Sequence, residues 1–230
     1  MNSLIEVLTK YSSMFWNAVV TTLLLSLFTV VFATLFGSFM ALMKISKIRI
    51  LRYIANIYVE FIRGTPLLVQ VYVVFYGLPM LGVELPTFDF MGNNFSRLFP
   101  GILAMVINST AYICEIVRGG ILSIETGQME AARSIGFTRS QAMRLVVFPQ
   151  AVKNFLPALG NEFVSVIKNS SQVSVIGVAE LMYITNTVRG ISYKTIEPLI
   201  IVSVMYFIMT FIISSLVKRL EVRLAVKEAR

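Results

Sequence analysis

MFWNAVVTTLLLSLFTVVFATLFGSFMALM, residues 14 to 43, contains no charged side chain, and its reading decides the fold. An α-helix rises about 1.5 Å per residue, so about 20 apolar residues cross the roughly 30 Å of hydrocarbon in a bilayer. A run of this length and composition is a membrane span. It is not isolated, because no charge occurs between Arg63 and Glu84, between Arg97 and Glu115, or between Glu197 and Lys218. The 230 residues are 57% hydrophobic and 14% charged, with a mean hydropathy of +0.79. Soluble domains lie nearer 45–50% apolar and about 25% charged. These totals exclude a soluble enzyme, a nucleic-acid-binding domain and a disordered chain. A single cysteine, Cys114, excludes an internal disulfide. The absence of histidine removes the commonest metal ligand and the usual general base near neutral pH, so no metal site is expected.

Five spans are expected in an all-α membrane protein that forms one domain over residues 1–230. They lie at about 14–43, 55–80, 98–118, 154–178 and 197–217. The fourth carries Pro157, Gly160, Glu162 and Lys168, which are tolerated where they face protein or a watery cavity. An odd number of spans places the termini on opposite sides. The connectors 44–53 and 118–153 and the tail after 217 carry fourteen lysines and arginines, against Lys10, Arg97, Arg189 and Lys194 on the other side. The positive-inside rule makes the first side cytoplasmic, with the N-terminus outside and the C-terminus inside. Residues 1–12 lack the basic start of a cleaved signal peptide.

The cytoplasmic connector, about 119–153, reads as two short helices. Thr126 can cap the first, Glu130 sits near its positive end, and Gly136 can stop it in a left-handed turn. Thr138 and Gln141 have capping-box spacing for the second, which Pro149 is expected to end. Two helices at a glycine turn also resemble a DNA-binding helix-turn-helix. Tethering to membrane spans at both ends and the lack of a separate core argue instead for a surface that docks a cytoplasmic partner.

Polar residues within the spans carry the functional signal. EFIRG at 60–64 and EIVRG at 115–119 each place a glutamate and an arginine three apart on one helical face. Glu60 with Arg63, and Glu115 with Arg118, are thus candidate ion pairs at the cytoplasmic boundary, as structural anchors or as parts of a gate. At 100° per residue, Asn161, Glu162, Ser165, Lys168, Asn169 and Gln172 fall within one arc of the fourth span. A charge facing lipid near mid-bilayer costs about 2.5–3.5 kcal/mol on the mildest scale, so this stripe faces protein or water. A solute pathway and a polar seam between helices both meet that demand. Gln70, Asn108 and Tyr112 add polar groups to the second and third spans, while Ala33, Gly37 and Ala41 form a small-residue ladder for close packing. Five spans are few to enclose a path, and a two-fold pair would supply ten.

The connector EAARSIGFTRSQAMRLVVFPQA, from Glu130 to Ala151, resembles the coupling-loop signature of bacterial ABC-importer membrane subunits. That signature is Glu-Ala-Ala, a glycine four residues on, and an aliphatic-x-Leu-Pro ending. Glu130, Ala131, Ala132, Gly136, Val146 and Pro149 match it, with Phe148 in the leucine place. IRGTPLLVQ at 62–70, YGLP at 76–79, AYICEIVRGGI at 111–121, GQMEAA at 127–132 and LPALGNEF at 156–163 resemble the polar amino-acid branch of the family. The resemblance covers about residues 15–218. It implies a permease subunit, not an enzyme, paired with a second copy or a paralogue. A cytoplasmic ATPase dimer and an extracytoplasmic amino-acid-binding protein are the further partners implied. The coupling helix would lie around 126–135. No GxxxxGK[ST] phosphate-binding loop occurs in the chain, so ATP and Mg belong to the partner ATPase and no cofactor is expected here.

Relatives of this branch often read Lys-Asp-Thr-Ser-Leu where this chain has Lys168, Asn169, Ser170, Ser171 and Gln172. Asparagine keeps hydrogen bonding without the acidic charge that can hold a cationic side chain. The departure favours a neutral polar or sulfur-containing amino acid, with Glu162 left to meet the substrate ammonium or to pair with Lys168. A paralogous subunit could instead hold the substrate. Two other classes stand beside this reading: an ion-coupled secondary transporter, which needs no ATPase contact, and a membrane scaffold, which needs no wet stripe.

Overall fold

The computed structural model describes residues 2–90 and 92–228. Arg230, one of the basic tail residues used for orientation, lies outside them. The described chain is helical apart from one short hairpin. In order it forms α1 (Asn2–Lys10), α2 (Ser12–Lys44), α3 (Arg49–Arg63), α4 (Leu67–Met80), β1 (Asp89–Phe90) and β2 (Asn93–Asn94). Then come α5 (Phe95–Leu122), α6 (Thr126–Ser134), α7 (Arg139–Ala142), a π-helical turn (Met143–Val147) and α8 (Phe148–Asn169). A 3₁₀ helix (Ser170–Ile176), α9 (Leu181–Ser192) and α10 (Ile196–Glu228) complete it.

Among the described residues, α2, α5 and α10 are each long and apolar enough to cross a membrane, and α3 with α4 makes a fourth if the bent pair is one span. The expected continuous span at 55–80 is therefore corrected to two helices meeting at 107°. Gly64, Thr65 and Pro66 cause the break: Pro66 has no N–H and disfavours helical geometry at the residue before it. The expected span at 154–178 is also not one regular apolar helix. It is the second half of a helix that starts on the connector, and it tightens into the 3₁₀ segment after Asn169.

The connector differs from expectation in two further ways. Glu125, not Thr126, occupies the N-cap of α6, and no side chain caps that end. Pro149 does not end a helix, because it stands in the first turn of α8. A proline at this point cannot donate to the carbonyl one turn back. The preceding π turn absorbs the mismatch, with the Phe148 N–H reaching Met143 O, and the helix continues past the ring.

Helix α5 is the centre of the fold. Two thirds (67%) of its most apolar window is buried, against 33% for α2 and 17% for α10. Ala33 and Ala41 of α2 are fully buried in the cluster formed with Ile113, Cys114 and Val117 of α5 and Phe155 of α8. A second cluster joins α4, α5 and the 3₁₀ helix through Val71, Met105 and Val173. A third joins α2, α9 and α10 through Phe15, Leu181 and Val202. The outward faces of α2 and α10 expose Phe32, Leu35, Phe39, Phe207 and Phe211, the inversion required when the solvent is hydrocarbon. Helix α1 lies against the start of α10, where Ser3 donates to Glu197 at 2.7 Å and Lys194 pairs with Glu6 at 2.8 Å.

Gly37 lets α2 pack closely on α5. A Cβ there would lie 2.9 Å from Ile113 Cγ2 and 3.0 Å from the Thr110 carbonyl oxygen, whereas a Cβ at Gly119 meets nothing within 4 Å. Gly37→Leu is expected to cost about 1–3 kcal/mol of stability. Gly119→Ala is expected to be neutral or slightly favourable. Thermal melts of the detergent-solubilised protein check the contrast, and equal melting temperatures would refute it.

Candidate functional site

The break between α3 and α4 interrupts the backbone ladder, and Gln70 donates into the gap. Its Nε2 donates to Ile62 O at 2.8 Å, to Thr65 O at 3.1 Å and to Thr65 Oγ1 at 2.8 Å. Its Oε1 accepts from Asn108 Nδ2 of α5 at 2.9 Å. Both side chains are buried, at 8% and 5% exposure. The structure therefore places the two expected pathway residues Gln70 and Asn108 in an internal clasp that fixes the elbow against α5. Tyr112, one turn further along α5, is open at its surface with Arg63 5.4 Å above its ring.

That position of Arg63 corrects the expected pair with Glu60. Among the described residues Glu60 makes no ion pair, and both side chains are exposed. α3 ends at Arg63, so its guanidinium is free to leave the helix face for the aromatic ring, a favourable seat for a cation. The second pair does form: Arg118 Nη2 lies 2.8 Å from Glu115 Oε2, and Lys44 from the end of α2 meets Glu115 Oε1. Glu115 thus ties two cations and two helices together at the expected cytoplasmic boundary.

Helix α8 buries its apolar side, with Val166 and Ile167 fully enclosed. Its polar side is only partly covered. Asn161 and Lys168 are exposed, and Glu162, Ser165 and Asn169 are half-buried. Glu162 has the Ser109 hydroxyl of α5 beside it. It does not pair with Lys168, because six residues separate them by about 9 Å along the helix axis. Ser165 Oγ returns its hydrogen to Asn161 O at 3.2 Å. The stripe changes pitch at its end: Gln172 belongs to the 3₁₀ helix, so its direction does not follow the 100° step that holds up to Asn169.

The connector forms a solvent-facing platform. Glu130, Ala131 and Arg133 of α6 are exposed, and only Ala132 is buried. Gly136, at φ +97°, closes α6: its N–H reaches Arg133 O at 3.1 Å and the Phe137 N–H reaches Ala132 O at 3.2 Å. This paired closure satisfies two end carbonyls and requires a positive φ that glycine adopts freely. Thr138 and Gln141 form a reciprocal capping box that starts α7. Asn154 of α8 donates to Ser123 Oγ at the end of α5 at 2.9 Å, so the platform is anchored on both flanks.

Sequence reading missed Glu180. It is completely buried, accepts from the Tyr183 N–H at 2.8 Å as the cap of α9, and accepts from Tyr206 Oη of α10 at 2.7 Å. The signal was an acidic residue just before an apolar helical run, the position where a carboxylate serves the first free amides.

A membrane-embedded helix bundle with a partly covered polar helix face and an exposed, doubly capped helical platform has the parts of a transport-system membrane component. The family described as binding-protein-dependent transport system inner membrane component matches residues 33–226, and the chain belongs to it. The probable glutamine ABC transporter permease protein GlnM of Bacillus subtilis (strain 168) is 37% identical over 220 residues, covering 96% of this chain and 97% of the relative. The nopaline transport system permease protein NocM of Agrobacterium fabrum (strain C58 / ATCC 33970) is 37% identical over 193 residues, covering 84% and 80%. A solved structure described as an amino acid ABC transporter with histidines superposes with a TM-score of 0.85 at 42% identity, covering 94% of this chain and 96% of that one.

Gln70→Leu keeps the bulk of the side chain but removes the donor to Ile62 O and Thr65 O and leaves the buried Asn108 amide without its acceptor. A stability loss of about 1–3 kcal/mol is expected. Gln70→Glu, which can accept from Asn108 but cannot donate while ionised, should lose most of the same stability. Melting curves of the purified variants indistinguishable from the parent would show that the elbow does not depend on this clasp.

Proposed function

We propose that this chain is the permease subunit of an ATP-driven amino-acid importer. In this reading two permease subunits, the second a copy or a paralogue, bring their α8 faces together around a central route. Each α6 docks in a groove of a cytoplasmic ATPase that binds the ATP and Mg, and an extracytoplasmic binding protein delivers the amino acid. The N-terminus lies outside and the C-terminus in the cytoplasm of a bacterial cell.

The observation that carries the proposal is the mounting of α6. It is exposed on nearly all sides and closed at its C-terminal end by Gly136, and the same connector continues through α7 and the π turn into α8. A push on α6 therefore reaches the polar face without crossing a flexible linker. Closure of the ATPase pair would move the two platforms together and open the route outward, and hydrolysis would restore the inward state. Glu162, Ser165, Asn169 and Gln172 are the proposed lining, while Glu115, Lys44 and Arg118 brace its cytoplasmic end. Gln70 and Asn108 serve by holding the elbow.

The substrate reading is a neutral polar or sulfur-containing amino acid, because Asn169 offers hydrogen bonds without negative charge. The names of the glutamine and nopaline relatives support an amino acid or a derivative of one.

In proteoliposomes that contain the permease, its ATPase and its binding protein, Gly136→Pro and Ala132→Trp should reduce uptake and binding-protein-stimulated hydrolysis to background. Glu130→Arg, at an exposed site where folding is insensitive, should do the same by spoiling the docking face. Hydrolysis unchanged in all three variants would overturn the coupling role of α6. In competition assays on the same vesicles, neutral amino acids should displace the substrate better than arginine or lysine, and the reverse ranking would overturn the neutral-substrate reading.

A further inference from the structure

Between the end of α4 and the start of α5 the chain encloses a cavity of about 620 Å³ lined by Phe75, Tyr76, Glu84, Ser96, Arg97 and Pro100. Its size falls in the range of small-molecule sites. Glu84, Asp89 and Arg97 are the only charged residues between Arg63 and Glu115, and two of the three line this one cavity. Their opposite charges nevertheless do not meet: the ion pairs among the described residues are Lys44–Glu115, Arg118–Glu115 and Lys194–Glu6. A cationic and an anionic group facing one space without neutralising each other match a ligand that carries both charges.

The guanidinium also lies against a glycine. Gly177 ends the 3₁₀ helix at φ +82°, and a Cβ there would lie 2.6 Å from Arg97 Nη1 and 3.3 Å from Arg97 Cδ. The bare backbone of Gly177 is thus the surface on which the Arg97 side chain rests. Arg97 is the third residue of α5, where the partial positive charge of the helix end adds to its own. Its planar fork suits a carboxylate in bidentate contact. Phe75 and Tyr76, packed edge to face at 5.1 Å, line the same cavity with aromatic rings that suit an ammonium.

We infer that this cavity is a receiving site for a zwitterionic amino acid, with Arg97 taking the α-carboxylate and Glu84 the α-ammonium. The site rests on the importer reading and its orientation, and adds an entry station to it. Gly177 ends the 3₁₀ segment that follows α8, so Arg97 touches both the cavity and the chain just beyond α8. Recognition through groups common to all α-amino acids leaves selection among side chains to the binding protein and to the stripe.

The test is equilibrium binding of radiolabelled L-glutamine to the permease–ATPase complex in nanodiscs, without nucleotide or binding protein. Arg97→Gln and Glu84→Gln, both at exposed positions, should each weaken binding by about ten-fold or more. Gly177→Ala should weaken it too, by displacing the arginine with no change of charge. N-acetylglutamine and the α-amide of glutamine, each missing one charge, should fail to compete. Absence of glutamine binding to the parent complex, or parental affinity in both charge variants, would overturn the site. ATP-driven glutamine uptake by parent proteoliposomes in that case would leave the importer reading standing, and only its absence for every amino acid would remove both.

Discussion

In a hydrocarbon solvent every backbone N–H and C=O needs a partner inside the protein, and a bend within a span is shaped by that demand. The sharpest case is the elbow at Gly64–Pro66. Bending α3 away from α4 opens the helical ladder, and one buried amide, Gln70, closes it again by serving Ile62 and Thr65 at once. Asn108 then locks that amide to α5, the most buried helix of the fold. Backbone groups are also served elsewhere: on the connector a π turn carries the chain past Pro149, and Glu180 accepts from an amide in the first turn of α9.

With the backbone satisfied, the side chains sort into three environments. Phenylalanine and leucine on α2 and α10 face outward, small and branched residues pack between α2, α5 and α8, and polar groups collect on the free side of α8. The third environment is only partly covered within the chain. It is joined to the exposed connector through α7 and the π turn, with only the short capped turn at Gly136 between α6 and α7, so the polar face and the exposed helix α6 are mechanically close.

Much of this was legible from residues alone. The long uncharged runs locate α2, α5 and α10 because composition over some twenty residues is what a bilayer selects. Gly136 and the Thr138–Gln141 pair were legible because their geometry is local. The elbow was not, since hydropathy over 55–80 sums side chains and ignores what Pro66 does to the backbone. Pro149 was misread as a stop because its cost depends on where the helix begins, and the π turn upstream leaves no sequence mark. A polar residue in a span must face protein or water, but residue type does not choose between them. Gln70 and Asn108 proved to face each other, whereas the side of α8 bearing Asn161, Ser165 and Lys168 has no such cover. The i,i+3 rule likewise could not foresee that Tyr112 would draw Arg63 away from Glu60.

The polar side of α8 also constrains the chain before assembly. A newly inserted subunit presents Asn161 and Lys168 with no protein over them, and lipid is a poor solvent for both. That one helix face therefore sets a condition on its surroundings: whatever lies against it must offer water or polar groups.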